Sequence, residues 1–398
     1  MENIPAVSVI IPMYNVEKYI AETLDSVLNQ TLQDFEVIVV NDCSSDNSRA
    51  VAESYLDKFN GRLKIFDNEK NSGAGTTRNK GIILSRGEYI YFLDSDDAIT
   101  PTALEELYSL AQKFNVDVVH CEKFYNVPNS FWNDPEYRKN LKPASYLTGE
   151  RRLFPKPTLL DDDIERRLNF FWKRQLIWNV VLQLIRRDFV LDNKIRFCDI
   201  YAEDLLFTLC ELSCAEKYLV VPNIIYFYRR RPGSFSGSAK DIQGKFQRSV
   251  QALTCGIRYL DKFLDDREFF SHRVDLKYVL FDIFVYQLTR SLLGTYSKIP
   301  KHEIDEFVRK EFAGDNTALM TYIFNMMNIF RSKMIQSQKQ ISDMEEQLKA
   351  KLGENSHDIY QPPPTVKLRN FCYHPNVQRG KIYCRVSRQP VVSNLSRF

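Results

Sequence analysis

A short β-branched run, a polar loop and then a helical pattern recur along the N-terminal third of this chain, and that alternation restricts the fold more than any other feature. Val7 to Ile11 precedes a helical pattern from about Glu17 to Gln30, and Phe35 to Val40 precedes one from Ala50 to Phe59. "LKIFD" leads to a helix starting near Ala74, and "EYIYFL" runs into an acidic cluster. After that cluster Pro101 sits where a helix would begin, with Thr100 as its expected cap, and "VDVVHC" forms a fifth strand. Strands joined by helices need crossover connections, so the pattern predicts an α/β fold with a mainly parallel sheet and helices on both faces. The near-continuous apolar strands agree with a sheet buried on both sides.

In such a sheet, ligands collect beyond the carboxyl ends of the strands. "PMYN" with Glu17, "NDCSSDNS", "NEKNSGAGTTRNKG" and "DSDD" all fall on that edge. One of them alone is turn chemistry; four in register predict a site. Asp42 can accept a hydrogen bond from a pyrimidine ring N–H, with Pro12 and Tyr14 shaping a slot against the base. Gly73 and Gly75 permit close backbone approach, and Arg78 faces a base or a phosphate from the start of a helix. The segment is neither a dinucleotide fingerprint nor a P-loop, because the glycine spacing is wrong for both. Asp94, Asp96 and Asp97 repel one another unless compensated, and an oxygen-preferring divalent cation is the simplest compensation; a solvated acidic turn capping the next helix is the other reading. On the first reading Asp94 binds ribose hydroxyls, Ser95 lies beside it at the nucleotide sugar, and Asp96 is the main protein ligand of a cation that diphosphate oxygens and water complete.

"VSVIIPMYN", "VIVVNDCSSDNS", "NSGAGTTRNKGI" and "YIYFLDSDDAITP", in this order, resemble the family-2 glycosyltransferases of the GT-A fold. The resemblance covers Ala6 to Phe114 closely and continues more loosely through "WNVVLQLIRRDF", "AEDLLF" and "YFYRRRPGSFSG". It implies a nucleotide-sugar donor, most often UDP-linked, a Mn²⁺ or Mg²⁺ ion, and inversion at the anomeric carbon; the acceptor expected is a hydroxyl of a glycan, a glycolipid or other lipid-linked glycan, or a protein. By the same resemblance Asp204 matches the catalytic base, with Glu203 as its nearest rival; both would also suit a helix N-terminus without any catalytic role. Arg229, Arg230 and Arg231 look like the start of a mobile loop that closes over the donor, with Arg229 and Arg231 taken as donor-binding. Trp178 and Asn179 resemble an acceptor-side segment, although Val180 stands where the family has Lys. Two other functions remain open on the residues: a nucleotidyltransferase using the acidic cluster, or a silent nucleotide-sugar-binding scaffold.

The 398 residues allow two or three domains. The divisions expected are a glycosyltransferase domain over 1–236 (nucleotide-sugar part to about 122, acceptor part after it), a helical region over 237–353 and a Pro-spaced basic tail over 354–398. Ile323, Met327, Phe330, Met334, Ile341, Met344 and Leu348 alternate steps of four and three apart from Ser337, which suits either a coiled-coil seam joining copies of the chain or a helix packed on its own domain. Beyond "QPPPT" the tail carries seven Lys and Arg from Lys367 to Arg397 and no acid, which suits an anionic membrane surface, an acidic partner or RNA, or a simply solvated segment. A net charge of +3 argues against nucleic acid as the partner of the whole chain. No secretory signal or apolar stretch of about 18 residues is found, and the eight cysteines include no closely spaced metal or redox pair. The expected location is cytoplasmic, peripheral to the membrane if the tail binds it. Cys210 and Cys214, one helical turn apart, are read as packing residues.

Overall fold

The computed structural model of the chain describes residues 4–144, 154–160, 163–172, 178–231, 242–296, 298–311, 340 and 342–343. The chain divides into two compact units, Met1–Phe307 and Val308–Phe398. The heptad-like positions from Ile323 to Leu348 and the basic tail lie outside the described residues, as does the loop after Arg231.

Among the described residues ten strands form one sheet: β1 (Val7–Met13), β2 (Phe35–Asn41), β3 (Leu63–Asp67), β4 (Tyr89–Phe92), β5 (Ala98–Ile99), β6 (Val118–Pro128), β7 (Pro143–Ala144), β8 (Thr158–Leu160), β9 (Gln183–Arg186) and β10 (Tyr218–Arg230). The helices are α1 (Ile20–Leu28), α2 (Ser48–Glu53), α3 (Gly73–Leu84), α4 (Ala103–Phe114), α5 (Pro135–Lys139), α6 (Ile164–Trp172), α7 (Arg187–Asp192), α8 (Glu203–Cys214), α9 (Ile242–Asp265), α10 (Glu268–His272), α11 (Val274–Tyr296) and α12 (Lys301–Glu311). The order β3-β2-β1-β4 is parallel throughout, and β6 runs parallel to β10. Between these two blocks lies β9, antiparallel to both β4 and β6.

Successive residues of each strand point to opposite faces, and both faces are covered. Val7, Val9 and Ile11 of β1 join a core with Leu24 of α1, Ala52 of α2 and Leu107 of α4. Ile10 joins the other core, with Ile82 of α3, Leu168 of α6, Leu206 of α8, Leu260 of α9 and Ile283 of α11. Helices that follow position 242 thus share a core with the sheet and with α8. Among the described residues no helix is long and apolar enough to cross a membrane.

The sheet is seated tightly at Gly87, just before β4. A Cβ there would lie 2.6 Å from the Ser8 amide nitrogen and 2.8 Å from the Val7 carbonyl carbon, both backbone atoms that cannot yield. The Gly87 N–H donates to Ser8 Oγ (2.8 Å), and that hydroxyl donates to Glu36 Oε1 (2.7 Å), so the approach joins β1, β2 and β4. Gly87→Ala is therefore expected to cost about 3 kcal/mol through overpacking and a lower urea midpoint. A wild-type midpoint in a urea titration would contradict this close approach.

Two sequence expectations need correction. Helix α4 begins at Ala103 after Thr102, and Thr100 does not cap it. The Thr100 amide donates instead to Ile225 O (2.8 Å) and its carbonyl accepts from Gln30 Nε2 (2.7 Å), because β5 has just paired with β10. The fifth strand, expected to end with "VDVVHC" at Cys121, also runs further: β6 continues to Pro128, held by β10 through two register shifts that the residue alternation does not announce.

Candidate active site

The rim is built from the ends of β1, β2 and β4 and the start of α3. Asp42 follows β2 and is buried; its Oδ1 accepts from Asn68 Nδ2 (2.8 Å) and the Ser72 amide (2.8 Å), and its Oδ2 from the Gly73 amide (2.9 Å). Gly73 can bring its N–H there because its φ of 79° is open to glycine at no steric cost. A carboxylate has about four acceptor positions, so one beside Oδ2 remains for a ligand donor. Tyr14 is 49% exposed beyond β1, and Pro12 is half-buried in that strand. Glu17 ties the neighbouring loop: its Oε2 accepts from the Asn47 amide (3.0 Å), while its own amide donates to Asp46 Oδ2 (3.0 Å).

Arg78 enters from the first turns of α3. Its Nη2 donates to Asp94 Oδ1 (2.8 Å), and its Nη1 to Glu203 Oε1 (2.9 Å) and Asp204 Oδ1 (3.2 Å). The guanidinium lies 5.4 Å from the centre of the Phe197 ring. Burial works against its charge, but Asp204, Asp94 and Glu203 outweigh that and raise its pKa. Glu203 and Asp204 open α8, placed there by Ala202 in the left-handed region (φ 64°), a conformation costing a non-glycine residue about 1 kcal/mol. Burial, then Glu203 and Asp94, push Asp204 up to about 8, with Arg78 opposing them. A quarter of its side chain, 26%, stays open, so solvent tempers the shift and its upward direction stands.

Each aspartate of the acidic cluster has its own compensation. Asp94 has Arg78. Asp96 accepts from Arg231 Nε (2.5 Å), and burial together with Asp94 holds its pKa above the usual carboxylate range against Arg231. Asp97 points inward, accepting from Tyr226 OH (2.6 Å) and the Arg229 amide (2.7 Å); burial raises its pKa well above the ordinary value, helped by Asp96 and Asp94. Ser95 is buried between them. Arg229 is 3% exposed and its donors are committed within the protein: Nε to Asp96 O (2.8 Å), Nη1 to Asn129 Oδ1 (3.2 Å) and Nη2 to Glu22, with its carbon 3.6 Å from the Trp132 ring centre. Of the pair taken as donor-binding, Arg231 is the one whose side chain stands on Asp96.

Trp178 and Asn179 precede β9. The Trp178 carbonyl accepts from Thr208 Oγ1 (3.4 Å), one turn along α8 from Asp204, and the Asn179 carbonyl accepts the Leu182 amide (3.0 Å). Asn79 and Phe197 were not singled out in the sequence, yet they join α3 to the segment that carries Asp204. Asn79 Nδ2 donates to Phe197 O (2.8 Å), and the Phe197 amide donates back to Asn79 Oδ1 (2.9 Å). The adjacency of Asn79 to Arg78 was the available signal.

Among the described residues no group of three or more His, Cys, Asp or Glu could hold a metal on protein ligands alone. Asp96, 19% exposed at its side chain, supplies one carboxylate oxygen set. That donor set suits a hard cation that keeps water and phosphate oxygens as its other ligands, so the residues fit Mg²⁺ or Mn²⁺ held jointly with a diphosphate.

The parallel strands β1, β2 and β4 deliver polar loops and carboxylates to one rim, the edge at which an open α/β sheet binds its ligands. The family model "Glycosyl transferase family 2" matches residues 8–171. Glycosyltransferase GlyG of Streptococcus pneumoniae is 30% identical over 239 residues, 59% of this chain and 74% of its own length. The uncharacterized glycosyltransferase EpsJ of Bacillus subtilis is 34% identical over 239 residues, 58% of this chain; the chain spans 63% of EpsJ, less than two thirds. Of solved structures, S. aureus TarS 1–349 in complex with UDP-GlcNAc superposes with a TM-score of 0.52 at 23% identity, covering 76% of this chain and 80% of that one. The chain belongs to glycosyltransferase family 2.

Proposed function

We propose that the protein transfers a sugar, with inversion, from a UDP-sugar to a hydroxyl group of a glycan or glycolipid, assisted by Mg²⁺ or Mn²⁺. The observation that carries this reading is the convergence of a rim carboxylate, Asp94, and a raised-pKa carboxylate, Asp204, on the single guanidinium of Arg78. The family membership and the UDP-GlcNAc complex of a protein with the same fold support the choice of donor.

Asp42 and the Gly73 turn would receive the base, Tyr14 would cover it, and Asp94 would accept the ribose hydroxyls. Asp96 would hold the divalent cation, which when bound offsets charge on the diphosphate. Arg231, beside Asp96, adds a second positive charge at the same place. Asp204 takes the proton of the acceptor hydroxyl as its oxygen bonds to the anomeric carbon; the bond from that carbon to the diphosphate oxygen breaks and UDP carries the electron pair away. A base whose pKa lies near neutral combines adequate ionisation with proton affinity.

The test is a screen of nucleotide sugars against candidate acceptors, with Mg²⁺ or Mn²⁺ and with chelator, following UDP release. Cation-dependent UDP release with a glycosylated product is expected. Release of pyrophosphate would instead indicate nucleotidyl transfer, and no turnover of any donor would favour the binding scaffold.

A further inference from the structure

Arg78 reaches carboxylates on two sides of the site, and each end of its fork is engaged by a different part of the fold. Nη2 belongs to Asp94 at the end of β4, while Nη1 is shared by Glu203 and Asp204 at the start of α8. Its Nε is buried and has no hydrogen-bond partner among the described residues, so the orientation of the planar group is set there by those two ends and by the Phe197 ring. The Asn79–Phe197 pair of hydrogen bonds holds α3 and the segment leading to α8 together, which fixes the distance the side chain must span.

We propose that Arg78 is a positioning residue that fixes the base Asp204 and couples it, through Asp94, to occupancy of the donor site. This rests on the reading of Asp204 as the base and of Asp94 as the ribose acceptor. With the donor site free, Asp94 competes with Asp204 for the one cation. When ribose hydroxyls donate to Asp94, its charge is partly satisfied and its hold on Nη2 weakens. The guanidinium then settles toward Glu203 and Asp204, where a closer positive charge favours the ionised carboxylate. The donor thus prepares the base before an acceptor arrives. A lysine could not reproduce this, because its point charge cannot fork between two elements.

The charged groups that bear on Asp204 are Arg78 from α3, Asp94 from the end of β4, and Glu203 and Glu211 from α8 itself. Substitutions at two of them should move its titration in opposite directions. The experiment measures pH profiles of kcat and kcat/KM for the full-length protein, using the UDP-sugar that the wild type turns over, in Arg78→Met, Arg78→Lys and Glu203→Gln. In Arg78→Met the acid limb should rise by about one to two pH units, with kcat falling more than donor KM changes. Arg78→Lys should move the limb up by less. Glu203→Gln, which removes a like charge and frees Nη1 for Asp204, should move it down by about one unit.

Limbs that coincide with the wild type in an active enzyme would overturn the coupling. So would an Arg78→Met variant whose only change is a raised donor KM, which would place the guanidinium on the donor itself. If Arg78→Met does not fold, the Lys and Gln variants still carry opposite expected signs and decide the matter. Absence of wild-type turnover would remove the enzymatic reading and the coupling with it, whereas unmoved limbs remove the coupling alone.

Discussion

Asp204→Asn is expected to lower kcat by about a thousandfold while UDP binding, followed by calorimetry, stays within about threefold of the wild type. The amide keeps the size and polar shape of the carboxyl but cannot take a proton, so the loss falls on the chemical step. Its neighbours make this a clean comparison. Arg78 keeps Glu203 and Asp94 as partners when one of its three carboxylates becomes neutral, so the buried guanidinium is not stranded. Glu203 is the rival base, and the same variant separates the two: turnover close to the wild-type rate would transfer the role to Glu203. An equal loss of UDP binding and rate would instead mean that the α8 terminus had moved.

Asp96→Ala is expected to abolish detectable transfer and to make UDP affinity the same with Mg²⁺ as with chelator. The wild type should bind UDP more tightly when the cation is present, since Asp96 is the carboxylate placed to share it with the diphosphate. Burial and Asp94 already hold the Asp96 pKa up, so the local field is richer in negative charge than Arg231 alone relieves. Removing Asp96 leaves Arg231 without its 2.5 Å partner, but Arg231 is 19% exposed and solvent can take up its charge. The fold should therefore survive, which a thermal melt would check. Retained cation-dependent UDP binding in this variant would exclude Asp96 as the ligand.

The sheet was legible because its strands are short, β-branched and each followed by the same kind of polar turn. That pattern places β1 to β4 and brings four loops to one edge. The antiparallel β9 was not legible, because "QLIR" is short and its direction is decided by β4 and β6, distant in sequence. The start of α4 was misplaced for a related reason: Thr100 and Thr102 are equivalent by local capping preference, and only the pairing of β5 with β10 distinguishes them.

Side-chain partners were the least legible part. Arg78 was recognisable as a site residue from "SGAGTTRNKG", but its carboxylates stand 16, 125 and 126 residues away. Arg229 shows the same limit, since its contacts with Glu22 and Trp132 depend on folding the acidic cluster against β10. Spacing along the chain reveals which residues could act. It does not reveal which of them the fold uses up internally.

Along an extended chain, neighbours face opposite ways, so Arg229 and Arg231 lean to one side and Arg230 to the other, exposed. A run that reads as three interchangeable cations is therefore a wedge driven against Trp132, a solvated spacer and a latch resting on Asp96. What matters in that tripeptide is odd versus even position rather than total charge.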